Sequence, residues 1–235
     1  MPLLYVSRWR LTTAILALTP WCPRADGYVC QAESVSMGVV SHRLVLLRHG
    51  ETEWSLSGQH TGSTDLDLTD NGRAQAVAAG PVLADLRLDD PKVISSPRRR
   101  AVETAELAGL TVDEKSELLA EWDYGSYEGM TSAEIHKSHP SWSIWTHGGP
   151  NGESVAQVSE RADRAVALAL ELMATRDVVF VGHGHFSRAV ITRWVQLPLV
   201  EGSRFGMGPA SVAVGGFEHG IRQLSALGLP RPYDD

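Results

Sequence analysis

Cysteine is nearly missing from this chain: Cys22 and Cys30 are the only two, and both precede Met37. A cysteine-free body from Met37 onward excludes a disulfide framework and fits a reducing, cytoplasmic setting. Long apolar runs are missing too, since no stretch approaches the roughly 18 uninterrupted apolar residues that a membrane-spanning helix requires. Positive charge is in deficit, with a formal net charge of -7. That balance argues against a general binder of nucleic acid or anionic membrane, both of which call for a basic surface. An anionic ligand would therefore need a local positive pocket. There are no internal repeats or low-complexity tracts. What is present, 43% hydrophobic residues in a chain of 235, is enough for one large α/β domain or two small ones with a sizeable core.

Residues 1–36 differ from the rest. Arg8 and Arg10 precede a short apolar run from Leu11 to Pro20, but Thr12, Thr13 and Thr19 interrupt it and no clean small-x-small cleavage site follows. The segment reads as a disordered tail or a mis-assigned translation start, with translation beginning at Met37; a signal peptide leading to export is the weaker alternative. The working domain is residues 37–235.

From Arg43 to Leu47 the chain is continuously apolar after its first residue, as expected of a central strand covered on both faces. It runs into Arg48-His49-Gly50, where the glycine is expected to let the chain turn sharply. The stretch from Glu51 to Leu68 is polar and reads as a long loop folding over a site. Thr69 to Gly72 supplies capping residues for a helix to about Leu86, with Ala74, Val77, Ala78 and Val82 expected on its packing side. Lys92 to Ser95 reads as a second strand, and Pro97 as the first turn of a helix over Arg98 to Leu107. Thr131-x-x-Glu134 and Ser154-x-x-Gln157 are capping boxes. The second opens the longest helix, to about Thr175, with a stripe of Val155, Val158, Ala162, Ala165, Val166, Ala169 and Leu172. Asp177 to Val181 is a further buried strand, followed by Gly182-His183-Gly184-His185 and a helix over Phe186 to Val195. Ala210 to Val214 and Ile221 to Leu224 read as short strands, a hairpin turning at Glu218-His219-Gly220.

Two strands thus end in a histidine with glycine beyond it, and in a parallel sheet such ends lie along one edge. His49 is the candidate nucleophile. Arg98-Arg99-Arg100 opens a helix, where the dipole disfavours cations. A phosphate at that N-terminus would turn the penalty into an anion site, with one arginine facing inward.

Five motifs stand in register: Leu47-Arg48-His49-Gly50-Glu51-Thr52-Glu53-Trp54; Ser95-Ser96-Pro97-Arg98-Arg99-Arg100-Ala101-x-x-Thr104-Ala105; Leu119-Ala120-Glu121-Trp122-Asp123-Tyr124-Gly125-x-x-Glu128-Gly129; Gly152-Glu153-Ser154; and Gly182-His183-Gly184. Together they resemble the histidine phosphatase superfamily, the phosphoglycerate-mutase-like proteins, across essentially all of residues 43–225. The loop from Trp54 to Asp65 is most similar to the sugar-bisphosphatase and actinobacterial acid-phosphatase branches. The resemblance implies an α/β fold, a three-layer α/β/α sandwich with a mostly parallel central sheet, a short cap insertion and the site at the sheet's carboxyl edge. It implies that His49 becomes a phosphohistidine, that Arg48, Arg100 and His183 surround the phosphoryl oxygens, and that Glu121 protonates the leaving oxygen and then activates water. It also implies that neither metal nor other cofactor is needed.

Arg98 and Arg99 are expected to be solvated, Arg98 with an option on substrate. Asp123 and Glu128 are rivals to Glu121, while Glu51 and Glu153 are expected to brace loops. Ser55, Thr61, Gly62, Gly184 and His185 are expected at the phosphate or substrate, with His60 and His147 loosely assigned and His42, His136, His139 and His219 at the surface. Trp142 and Trp145 are expected to shape the pocket wall. The mutases carry an asparagine where this chain has Ser55, and a longer basic insertion than the one between Gly129 and Gly152, which favours water as the final acceptor. The expected activity is hydrolysis of a small phosphorylated metabolite, with an acid optimum because Glu121 must carry a proton. A phosphoglycerate mutase, a metallohydrolase on His183 and His185 and a silent phosphate-binding module are the rival readings. The expected partner is a small-molecule substrate, with no nucleic acid and no membrane; a homodimer is left open.

Overall fold

The computed structural model describes residues 42–229, so the expectations for residues 1–36 lie outside the described residues. A six-stranded sheet in the order β3-β2-β4-β1-β5-β6 organises them. Its strands are β1 (Leu44–Arg48), β2 (Lys92–Ser95), β3 (Glu114–Lys115), β4 (Val178–Gly182), β5 (Val212–Glu218) and β6 (Ile221–Leu229). Strands β3, β2, β4 and β1 are mutually parallel, and only β5 runs against its neighbours. The helices are α1 (Glu53–Ser57), α2 (Asp70–Asp85), α3 (Arg99–Leu107), α4 (Ser132–Ser138), α5 (Ile144–His147), α6 (Val155–Leu172) and α7 (Gly184–Trp194).

Alternation along the central strands produces the three layers. Leu44 and Leu46 of β1, Ile94 of β2 and Val178 and Phe180 of β4 share a core with Val158, Ala162 and Ala165 of α6 and Phe186, Val190 and Trp194 of α7. Their neighbours Val45, Leu47, Val93, Val179 and Val181 point the other way, onto Ala79 and Leu83 of α2 and Ala101 and Ala105 of α3. Each such aliphatic side chain contributes about 1.5–3 kcal/mol by leaving water, so continuous apolar runs suit strands covered on both faces.

The register carries this architecture to the site. Leu47 pairs with Val181 and Arg48 with Gly182, so the next residue on each strand is a histidine. The His49 N–H donates to the Gly182 carbonyl at 2.9 Å, and the Ser96 N–H, one residue past β2, donates to Val181 at 2.8 Å. Three neighbouring parallel strands therefore deliver His49, His183 and Ser96 side by side at one edge.

Several local expectations needed correction. The stretch read as a polar loop contains α1, opened by a Thr52–Ser55 capping box. Pro97 lies one residue before the N-cap of α3, which is Arg98. In α2 the buried residues are Gly72, Ala76, Ala79 and Leu83, while Val77 is 55% exposed. Ala74 and Ala78 also face solvent, while Val82 packs partly buried beside the core as expected. Both capping boxes, at Thr131 and Ser154, form as expected. The hairpin turns at His219-Gly220, and β6 extends to Leu229.

Candidate active site

The His49 turn is held from below by close backbone packing. A Cβ on Gly50 would lie 2.3 Å from the Gly72 carbonyl oxygen, and one on Gly72 would lie 2.1 Å from that of Glu51. Glycine is needed here for the approach of α2 to the turn. The Gly50 N–H also donates to Thr104 Oγ1 of α3 at 3.0 Å. Both helices on that face thus brace the loop that follows β1.

His49 is 4% exposed, and its Nδ1 lies 2.6 Å from the Gly50 carbonyl. A carbonyl only accepts, so the pairing assigns the ring proton to Nδ1 and leaves the lone pair on Nε2. Burial, then Arg100, then Arg48 push its pKa well below the usual histidine value, against the opposing pull of the Gly50 bond. The His183 ring stands 5.2 Å away at 63°, and its Nε2 is 2.8 Å from Ser96 Oγ. Burial, Arg100 and His49 likewise hold His183 well below the usual value.

Only one of the three consecutive arginines faces inward. Arg100 is fully buried and donates from Nη1 to Thr64 O at 2.7 Å and from Nη2 to Gly62 O and Thr61 O at 3.1 and 3.3 Å. Arg99 is exposed and paired with Asp65 and Asp67, whereas Arg98, expected to be solvated, is partly buried by its packing at the start of α3 and is paired with Glu117 at 3.5 Å. At the α3 N-terminus, where an anion was expected, Asp65 Oδ1 accepts the Arg99 N–H at 3.0 Å. Glu128 is part of the same construction. Its carboxylate accepts the Gly62 and Thr64 N–H groups at 2.9–3.0 Å, while the carbonyls of that loop hold Arg100. Gly62, expected at the ligand, instead has both backbone groups engaged by Glu128 and Arg100 and does not line the cleft. Arg100 Nε and His183 Nδ1 are buried with no hydrogen-bond partner among the described residues. Buried donors of this kind call for an acceptor, and a phosphoryl oxygen is one.

In front of this floor opens a cleft of about 190 Å³. It is lined by Arg48, His49 and Gly184, by Ser55, Gln59, His60 and Thr61 from α1 and the chain after it, and by Glu121, Tyr124, His185 and Arg188. Arg48 donates to Met207 O at 2.5 Å and lies against Gly184, where a Cβ would come within 3.2 Å of its guanidinium carbon. Ser55 lines the cleft, although its Oγ is also engaged in the capping box with Thr52.

Glu121 is 8% exposed and sits across the N-terminus of α7. Its Oε1 accepts from Phe186 N at 2.7 Å and Trp122 N at 2.9 Å, and its Oε2 accepts from His185 N at 3.0 Å. The rival carboxylates are elsewhere, since Asp123 is solvent-exposed and Glu128 holds the Arg100 loop. Glu51 braces Thr69 and Asn71, and Glu153 pairs with Arg161 at 2.6 Å. Arg161 has no sequence signal beyond being one charge within the apolar α6 stripe. It also donates to the carbonyls of Leu118, Ala120 and Glu121, so it fixes the backbone that presents the carboxylate.

Trp142 and Trp145 do not line the cleft but back its wall. Trp142 stands edge-on to His60 at 5.4 Å, and Trp145 edge-on to His185 at the same distance. His60 stacks on Tyr124 at 4.6 Å, and burial lowers its pKa. His147 is exposed and distant in role, hydrogen-bonded beside Thr146. His136, His139 and His219 are exposed as expected, while His42 is partly buried against Met173 O. His183 and His185 direct nitrogens to Ser96 and Tyr124 respectively, so they do not converge as a metal pair. Among the described residues no group of three or more His, Cys, Asp or Glu is placed to hold a metal, and no helix is long and apolar enough to cross a membrane. Gln59, Tyr124, Arg188 and Met207 also line the cleft; Tyr124 and Gln59 lie within the motif and loop read from the sequence but were given no role there, and Arg188 and Met207 lie in neither.

The chain is 67% identical over 199 residues to an acid phosphatase of Mycobacterium tuberculosis, an alignment covering 83% of this chain and 98% of that protein. It is 34% identical to sedoheptulose 1,7-bisphosphatase of Saccharomyces cerevisiae, covering 68% and 70% of the two chains. A solved structure of an open-reading-frame product from Mycobacterium tuberculosis superposes with a TM-score of 0.80 at 68% identity, covering 80% of this chain and 98% of that one. Residues 44–229 match the sequence pattern of the histidine phosphatase superfamily, branch 1, and with a strand-end histidine, its arginines and a facing carboxylate in one cleft, the chain is a phosphatase belonging to that superfamily.

Proposed function

We propose that the protein hydrolyses a small phosphomonoester without metal, through a phosphohistidine on His49. The observation that carries this reading is the His49–Gly50 hydrogen bond at 2.6 Å in a buried site between Arg48 and Arg100, which leaves Nε2 as a neutral nucleophile. In the first step Nε2 attacks phosphorus, the bond to the leaving oxygen breaks, and that oxygen takes the Glu121 proton. In the second step the Glu121 carboxylate takes a proton from water, whose oxygen attacks the phosphohistidine and releases inorganic phosphate. Arg48, Arg100 and His183 supply donors to charge spread over the three equatorial oxygens.

An acid optimum follows in sign. Because the His49 pKa lies below the usual value near 6.5, the nucleophile remains neutral as the solution becomes acidic enough to supply the leaving-group proton. The cleft, smaller than the roughly 300–1,000 Å³ typical of drug-sized ligands, suits a metabolite of sugar-phosphate size. The relative named as a sugar bisphosphatase supports that class.

The test is acid-quench labelling with a ³²P-labelled sugar phosphate, beside a phosphate-release panel of sugar mono- and bisphosphates, phosphoglycerates and phosphopeptides. Wild type should form an acid-labile, base-stable label, and His49→Ala should lose both label and turnover, the latter by about 10⁴-fold or more. Turnover surviving in His49→Ala would sink the mechanism. Interconversion of 2- and 3-phosphoglycerate without net phosphate release would make the protein a mutase.

A further inference from the structure

We infer that Arg188 and His185 form a second-anion subsite, which selects phosphomonoesters whose alcohol half carries a carboxylate or a further phosphate. The inference rests on the reading above in one respect, that the first phosphoryl group sits at His49.

His185 and Arg188 are three residues apart on α7, hence on one helix face, and both line the cleft. Arg188 is anchored on one side only. Its Nε donates to Gly202 O at 3.0 Å, and its guanidinium lies 4.7 Å over the Trp145 ring. Its Nη1 and Nη2 have no hydrogen-bond partner among the described residues, and no carboxylate pairs with it there. Arg193, five residues further along the same helix, is instead paired with Asp163 at 2.7 Å. Arg188 therefore presents a prepositioned fork of donors, a geometry suited to a planar carboxylate or a phosphate.

His185 adds a donor without adding charge. Its Nδ1 lies 2.6 Å from the Tyr124 hydroxyl, whose pKa burial raises well above the usual value, so the phenol keeps its proton and donates its O–H to Nδ1 as a hydrogen bond. The ring N–H is then assigned to Nε2. Burial, followed by Arg188, holds His185 neutral.

The charge balance of the cleft points the same way. Arg48 and Arg188 both line it and each carries a positive charge, whereas Glu121 is its one lining carboxylate. The phosphoryl group already has donors from Arg48, Arg100 and His183, so Arg188 is surplus to it. Arg48 and Arg188 are close enough to act on one another, so a second anion separated from the first by only a few carbons is the ligand that uses both.

The test uses phosphonates, which cannot be hydrolysed, on the full-length protein by calorimetry. Methylphosphonate fills the first site alone, while 3-phosphonopropionate and propane-1,3-bisphosphonate add a carboxylate or a second phosphonate. At least one bifunctional ligand should bind tenfold or more tightly than methylphosphonate. Arg188→Gln should erase most of that advantage, and Arg188→Lys should recover part of it. The carboxylate and bisphosphonate arms tell which anion is preferred. No advantage in wild type, or an equal loss for methylphosphonate in Arg188→Gln, would overturn the subsite. Because nothing is turned over, absence of a label on His49 would defeat the mechanism above and leave this measurement standing.

Discussion

Behind the cleft, His49, His183 and Ser96 stand at the ends of three neighbouring parallel strands, fixed by the pairing of Arg48 with Gly182 and of Ser95 with Val181. The front wall is assembled otherwise, from α1 and the loop after it, from the Glu121–Tyr124 loop and from α7. The floor is closed to solvent at Arg100 and His183, which are fully buried, whereas Arg188 and His185 are partly exposed. Sheet register leaves little freedom, so it suits atoms that must meet phosphorus. Loops and helix faces can change without disturbing the sheet, so they suit recognition of the alcohol.

The comparison breaks most sharply at Glu121, the one catalytic candidate carried by the front wall. If Glu121 is the proton donor proposed above, Glu121→Gln removes it and leaves the floor intact, so kcat/KM for an alkyl phosphate should fall about 10²–10⁴-fold. p-Nitrophenyl phosphate, whose leaving group needs no proton, should lose far less. Equal losses for the two substrates would remove Glu121 from the acid role. Arg100→Ala should show the opposite pattern, a fall of about 10²–10³-fold that is the same for both, because it removes a donor to the phosphoryl group itself.

The floor was legible in the sequence because it stands at strand ends. A central strand must be a continuous apolar run, and the residue at its end is found by counting. The front wall has no such signature. Five-residue α1 buries none of its side chains, and β3 is two exposed residues, so neither leaves a period to detect. Trp142 and Trp145 read as pocket lining because aromatic residues in a glycine-rich loop suit a ligand, yet both are buried behind His60 and His185. Most of the α2 stripe was misplaced because alanines stand on both of its faces and Val77 turns to solvent, so little in the sequence marks the inward side. Arg188 and Arg161 escape any motif, since a single arginine in a helix is ordinary until its partners are known.

Arg161 sharpens the comparison by acting on the front from a distance. It is 7% exposed, lies 3.8 Å from the Phe186 ring and holds the carbonyls of Ala120 and Glu121. As a positioning residue it should behave as a weaker form of Glu121→Gln. Arg161→Leu is expected to lower kcat about tenfold for an alkyl phosphate, with KM and p-nitrophenyl phosphate turnover changed less, and Arg161→Lys should recover part of the loss. A uniform loss on both substrates, tracking a lower melting temperature, would make the residue structural only.

The smallest effect separates the two regions by stability. His49 and His183 in the floor and His185 in the wall are all held well below the usual histidine pKa, chiefly by burial. Below about pH 6.5 the unfolded chain binds a proton at each of them and the folded chain does not. Stability is therefore complete above that pH and declines as the solution becomes more acidic, until the lowered folded values are reached. Each histidine contributes a slope approaching about 1.4 kcal/mol per pH unit within that window. Urea midpoints measured between pH 7.5 and 5 should show the decline, and His185→Asn should reduce its slope by the share of one proton. Phosphate should oppose the decline, because an anion bound between Arg48 and Arg100 stabilises the folded chain by mass action. A midpoint that stays flat from pH 7 to 5 without phosphate would mean that these histidines already carry protons when folded, which would leave His49 without its lone pair.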